Sequence, residues 1–465
     1  MEQTEQIGMN LTKGSVSKKL LLFSLPFLLS SFIQALYNIA DMWIIGYYGI
    51  PHGQAAINTG GQITLIVTNF IMGFATGGTV LIAQYYGAKR GEDIKKTIGT
   101  IFTALLIAAG ALTVLMIAVA YPLVLLLQTP ADTVHGTFVY IVICMAGNLF
   151  VFGYNGISAV LRGLGDSVRP LLIVGFACAL NIGLDFLFVG PFGWGVAGAA
   201  FATILAQGVS MLAAGFYLYR KKFIFDFKRK SFRIDKDKLK ELLRIGFPSS
   251  LQNVVNSVSF LILIVLLNIY GRANGLGDAP AGGAGICAKI NGIAILPAIA
   301  MGMAVASMAG QNIGAKEYKR ALNTAFLGFL YGAVVSVAVF LIVSLFPEQI
   351  VRLFNPETEA MAAAGVQYLK SFRWDYLIVP LLFAFMGLIN GSGHTLINMV
   401  FAATTSVIFR VPLAILLGFT FSLGISGIGY AVPAASLGTL ILICAYVASG
   451  KWKKETVLKA VAADL

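Results

Sequence analysis

The stretch MGFATGGTVLIAQYYGAKRG (Met72–Gly91) returns, altered but legible, as MGMAVASMAGQNIGAKEYKRA (Met301–Ala321). Gly87-Ala88-Lys89 stands opposite Gly314-Ala315-Lys316, 227 residues apart. Other pairs flank this one in the same order. KKLLLFSLPFLLSSF matches LKELLRIGFPSSLQN, with Pro26 opposite Pro248. VLRGLGDSVRP matches LINGSGHTLIN, with Gly163 opposite Gly391. NIGLDFLF matches RVPLAILL, and GVAGAA matches GISGIG. The separations run from 222 to 229 residues, so order and spacing hold across both halves. Chance in a Gly- and Ala-rich chain gives one such match, not five in sequence. The chain is an internal duplication.

Composition gives the solvent. Hydrophobic residues make up 58% of the 465 and charged residues 11%, with a mean hydropathy of +0.84. A soluble chain of this kind would expose large apolar patches and aggregate. Crossing about 30 Å of hydrocarbon takes about 20 apolar residues. Twelve segments qualify, near 20–49, 55–83, 97–120, 134–161, 170–190, 195–219, 246–270, 284–309, 321–345, 361–389, 395–419 and 424–449. The first 19 residues are polar, and the run after them is too long for a signal h-region, so it reads as the first span. The expected fold is an all-α polytopic membrane protein, with twelve transmembrane helices in two six-helix lobes.

Six spans precede the repeat boundary. An even number brings both halves in from the same side, as parallel repeats about an axis along the membrane normal, with the site near the midplane. The expected division is an N-terminal lobe at 1–219, a basic linker at 220–244 and a C-terminal lobe at 245–465. The linker holds eleven basic and four acidic residues and reads as a solvated segment ending in a short surface helix. With both termini cytoplasmic, 27 of the 33 Lys and Arg fall inside, and only Arg272 and Arg352 fall in outer loops. The net charge of +13 then faces an anionic inner leaflet, with no need of nucleic acid.

Few side chains suggest catalysis. Cys144, Cys178, Cys287 and Cys444 lack metal or redox spacing, the three His form no paired motif, and there is no G-x-x-x-x-G-K-[ST]. Neither an enzyme nor a cofactor is expected.

The polar exceptions are informative. At 1.5 Å per residue, Asp41, Asn181 and Thr203 each fall roughly 12–14 Å below the outer rim. Asp185 is one turn above Asn181 on the same helix face. Two carboxylates, an amide and a hydroxyl thus share one layer of the first half. Carboxyls buried side by side resist holding two negative charges, because desolvation and mutual repulsion both oppose it. Such a pair suits uptake and release of H⁺, and its oxygens equally suit Na⁺. The alternatives are acids snorkelling to the interface for Asp41 and Asp185, and ordinary interhelical hydrogen bonds for Asn181 and Thr203. Pro26 allows a kink in the first span, a moving one if occupancy of the acids changes it, otherwise a static one.

The second half departs from the first. Arg410 stands opposite Asn181 and Ala414 opposite Asp185, so the carboxylate pair is not duplicated. Asp375, with Lys370 and Arg373 nearby, reads as a local ion-pair cluster, with a second cation site as the alternative. Arg410 and Asp375 are the candidates for a cavity in that half.

With its duplicated six-span halves, ADMWIIGYYG closing span one, LRGLGD after span four, NIGLDFLF in span five and RVPLAILL in span eleven, the chain resembles the multidrug and toxic compound extrusion (MATE) transporters, and bacterial members with coupling acids in the N-terminal half in particular. The resemblance implies a V-shaped pair of lobes in the bacterial plasma membrane. It also implies export of lipophilic, cationic small molecules in exchange for H⁺ or Na⁺, by a monomer among membrane lipids. Positions matching Asp41, Tyr37, Asn155, Asn181, Asp185 and Thr203 serve cation coupling in such proteins. The rival within this architecture is a lipid or polysaccharide-precursor flippase, which should line its cavity with several Arg and Lys.

Overall fold

The computed structural model describes residues 8–126, 129–220 and 224–457. Residues 1–7 and 458–465, at the termini expected to be cytoplasmic, lie outside the described residues, as do linker residues 221–223. The regular elements of the described chain are all helices, without strands. In hydrocarbon every backbone N–H and C=O must find its partner within the segment, so long apolar runs wind into helices.

The first half holds α1 (Val16–Tyr47), α2 (Gly53–Gly87), α3 (Gly91–Leu126), α4 (Ala131–Ala146), α5 (Asn148–Gly163), α6 (Val168–Val189) and α7 (Gly195–Arg220). The second holds α8 (Lys236–Ala273), α9 (Ala279–Ala294), α10 (Leu296–Gly314), α11 (Tyr318–Leu345), α12 (Pro347–Arg352), α13 (Glu359–Phe372) and α14 (Asp375–Gly391). It ends with α15 (Thr395–Thr420) and α16 (Gly424–Ala448). Among the described residues nine helices are long and apolar enough to cross a bilayer, and twelve spans result if each of three bent pairs counts as one. This is a multi-pass membrane protein.

The bends fall inside three segments expected to be single spans. The axis turns by 49° between α4 and α5, 44° between α9 and α10, and 52° between α13 and α14. At the first break stands Gly147, where a Cβ would meet the Ile204 side chain of α7 at 2.4 Å. At the second, Pro297 opens α10 without an N–H to donate. α15 is locally wider: π-helical turns at Thr404–Arg410 and Leu416–Thr420 flank Pro412, which cannot donate to a preceding carbonyl.

The duplication extends to backbone geometry. Lys89 and Lys316 both turn left-handed (φ 58° and 62°), as do Gly165 and Gly393 (87° and 80°) and Gly195 and Gly424 (52° and 58°). Each pair is repeat-related.

The chain forms two compact units. One comprises Leu25–Ser250 with the chain start up to Leu11, the other Thr12–Ser24 with Leu251–Leu465. The boundaries between Ser24 and Leu25 and between Ser250 and Leu251 each fall within three residues of a repeat-related proline, Pro26 in α1 and Pro248 in α8. In the second unit, Arg320 Nη1 donates to the Gly14 carbonyl at 2.7 Å, and Ser17 Oγ bonds Tyr331 Oη at 2.5 Å. In the first unit, the start of α8 packs on α2 so closely that a Cβ on Gly73 would lie 2.2 Å from the Ser250 nitrogen.

That packing corrects the expectation of a short surface helix at the end of the linker, while most of the linker's described charges are exposed. Lys236–Arg244 are the opening turns of the 38-residue α8. Lys238 and Glu241 are buried. Tyr85 Oη of α2 donates to Glu241 Oε2 at 2.5 Å, and Lys238 Nζ lies 2.6 Å from that phenol oxygen and 3.0 Å from Asp93 Oδ1 of α3. Arg90 Nε adds a 2.6 Å contact to Asp93 Oδ2. Charge density made the whole segment look solvated, but Lys238 and Glu241 are matched by partners far away in sequence, Asp93 and Tyr85.

Candidate functional site

α1, α6 and α7 meet in the first unit around polar side chains. α6 supplies Asn181 and Asp185 from one face, because the two are one turn apart. Each is fully buried, and Asp41 of α1 is 4% exposed. Thr203 of α7 sits between the helices. Its Oγ1 lies 3.5 Å from Asp41 Oδ2 and 3.0 Å from the Ala199 carbonyl, and Asn181 Nδ2 lies 3.5 Å from it. The Asp41 and Asp185 carboxyls lie within electrostatic range of each other. Asp41 Oδ1, both Asp185 oxygens and Asn181 Oδ1 nevertheless have no donor of good geometry among the described residues. Four buried acceptor oxygens thus converge with few donors among them, an arrangement that attracts a proton or a small hard cation.

The structure therefore gathers Asp41, Asn181, Asp185 and Thr203 into one cluster. Tyr37, one turn before Asp41, turns its hydroxyl toward Thr203 and Gln207. Asn155 of α5 is directed elsewhere: its Nδ2 donates to the Val151 carbonyl at 2.8 Å. Pro26 lies in α1, which continues through it as one helix, and Ser30 Oγ donates to the Pro26 carbonyl at 2.7 Å.

Three neighbours were absent from the sequence-derived set. Gln207 follows Thr203 by one turn, a spacing that could have revealed it; its Oε1 is buried and unpartnered among the described residues. Tyr140 and Cys144 of α4 lie within electrostatic range of Asp41. Nothing in their local sequence marks them, since each sits in an ordinary apolar run.

Among its described residues the second unit has no counterpart to the cluster. At the repeat-related positions stand Leu263, Arg410, Ala414 and Val432, and Leu263, Ala414 and Val432 belong to the apolar core. Arg410 is buried, donates from Nη1 to Ser259 Oγ at 3.1 Å, and stacks 4.4 Å over the Phe260 ring. Asp375 is buried beside Ser436 and within electrostatic range of Arg410. This corrects the expected ion-pair cluster of Asp375 with Lys370 and Arg373. The 52° turn between α13 and α14 separates them. Lys370 is exposed, and Arg373 lies 5.5 Å from the Trp374 ring and 5.9 Å from that of Phe340.

Comparison with known proteins agrees with the duplication. The MatE family model matches twice, at residues 26–187 and 248–416, once in each repeat. Over 449 residues the chain is 32% identical to the probable multidrug resistance protein YpnP of Bacillus subtilis, covering 95% of this chain and 97% of that one. It is 27% identical to the probable multidrug resistance protein NorM of Thermotoga maritima, over 95% of this chain and 94% of that one. Among solved structures it superposes with TM-score 0.88 on a multidrug resistance MATE family transporter in an outward-facing conformation. That likeness covers 95% of this chain and 97% of the other at 22% identity, a match of fold.

Proposed function

This chain is a member of the MATE family of transporters, and on that premise we propose that it is a secondary active multidrug exporter. Its substrates are lipophilic organic cations, driven out of the cell in exchange for H⁺ or Na⁺ entering through the Asp41–Asp185 cluster. The proposed setting is a bacterial plasma membrane with both termini cytoplasmic. No cofactor takes part beyond the coupling ion.

One observation carries the reading: two buried carboxyls, Asp41 and Asp185, lie together with acceptor oxygens in excess of donors. Burial makes two adjacent negative charges costly, so the pair favours a bound cation. An organic cation approaching the same negative region competes with that ion, and Tyr37 offers it an aromatic face. Mutual exclusion of ion and drug is what turns two binding events into exchange. One elementary charge moving through 100 mV supplies about 2.3 kcal/mol, roughly a 50-fold concentration ratio.

The flippase reading needs several accessible basic groups to hold phosphates. Arg410 is instead buried against Phe260 and Ser259, which favours the exporter. The deciding experiment follows efflux of a fluorescent lipophilic cation from cells while Na⁺ and pH gradients are varied separately. Efflux should track one of the two gradients; efflux indifferent to both would refute exchange.

A further inference from the structure

We propose that the first unit carries a site for a zwitterionic phospholipid, on α6 and α7, two of the three helices that build the carboxyl cluster, but toward their other ends. A cavity of about 740 Å³ lies at the start of α6 and the end of α7. Leu161, Ile173, Ala214 and Leu218 make part of its wall apolar, and Asp166, Arg169 and Tyr217 make another part polar. Arg169 Nη1 donates to Asp166 Oδ2 at 2.5 Å, and Arg169 Nε donates to Tyr217 Oη at 3.3 Å. A carboxylate and a guanidinium therefore stand side by side.

Two further lining groups point to a ligand. Ser167 and Ser210 are 3% and 1% exposed, and their hydroxyls have no hydrogen-bond partner among the described residues. A buried hydroxyl without a partner is costly, so the occupant should bring acceptor oxygens. The wall also includes Val168, Leu172 and Phe176, which form an exposed apolar edge at i, i+4 and i+8 on α6. On a membrane-spanning helix such an edge meets acyl chains, so the cavity is entered from the bilayer.

The head group follows from the charges. Asp166 Oδ1 already accepts from the Val168 and Arg169 N–H groups, which caps α6 and leaves its N-terminus closed to an anion. A purely anionic head would meet the Asp166 carboxylate. A phosphate beside Arg169 and an ammonium beside Asp166 match both charges. The ester oxygens then accept from the two serines, and a chain fills the apolar side.

The test is native mass spectrometry of the full-length protein with added phosphatidylethanolamine or phosphatidylglycerol. One phosphatidylethanolamine should be retained under conditions that strip phosphatidylglycerol. Ala214→Phe, which fills the cavity, and Arg169→Gln should each lower that retention at least fivefold in protein that still folds and unfolds cooperatively. If Ala214→Phe does not fold, Arg169→Gln decides. Equal retention of the two lipids, or undiminished retention in the folded variants, overturns the proposal. So does displacement of the lipid by a lipophilic cation, which would assign the cavity to exported substrate.

Discussion

Thr203 Oγ1 lies 3.5 Å from Asp41 Oδ2, joining α7 to α1 at the level of the carboxyl pair. Because the hydroxyl also reaches the Ala199 carbonyl, its contact with Asp41 is shared and long. Thr203→Val keeps the shape and removes the polar group. Loss of one such interaction is worth about 1 kcal/mol, so the ion concentration for half-maximal efflux should rise roughly fivefold with little change in maximal rate. Ion titration of efflux in proteoliposomes measures this.

The Tyr85–Lys238–Glu241–Asp93 network should matter to stability more than to ion binding. Removing one member of a buried charged set leaves the others uncompensated, at a cost of about 3–5 kcal/mol. Lys238→Met should therefore lower the thermal unfolding temperature markedly in detergent. The double variant Lys238→Met/Glu241→Leu, which removes both charges, should recover part of the loss.

Arg410 and Asp375 should show the same coupling in the second unit. Arg410→Leu leaves the buried Asp375 without its nearby cation, and adding Asp375→Asn should restore part of the lost stability. A double-mutant cycle on unfolding temperature reads the coupling; purely additive effects would show that the two do not interact.

Gly73 should tolerate no side chain. A Cβ there would lie 2.2 Å from the Ser250 nitrogen and 2.3 Å from its Cα, and backbone atoms cannot swing aside. Gly73→Ala should cost about 1–3 kcal/mol, the usual range for overpacking, seen as a lower unfolding temperature. Gly61→Ala, where a Cβ meets nothing within 4 Å, is the matched control.

Much of this was legible in the sequence because hydrophobic length and repeat spacing are strong signals. Asp41, Asn181 and Thr203 could be placed at one depth by counting residues at a fixed helical rise, and the structure brings them together. What counting cannot supply is azimuth between helices. Asn155 sits in a helix beside this unit's core, yet its amide turns to its own backbone. Asp375 was grouped with Lys370 and Arg373 by proximity in sequence, and a helix break undid that grouping. Lys238 and Glu241 looked solvated because composition reports charge, not the distant partner that neutralises it. The breaks at Gly147 and Ile295 were hidden because each half-helix remains apolar, so hydropathy runs through them unbroken.

The most direct test of the central claim is export by Asp41→Asn and Asp185→Asn variants. Each is purified, shown to insert and unfold normally, and reconstituted in proteoliposomes under an imposed ion gradient. Both should bind a lipophilic cation yet fail to move it against its concentration. Gradient-driven export by Asp41→Asn at the unsubstituted rate would contradict the claim that this carboxyl pair couples ion entry to drug exit.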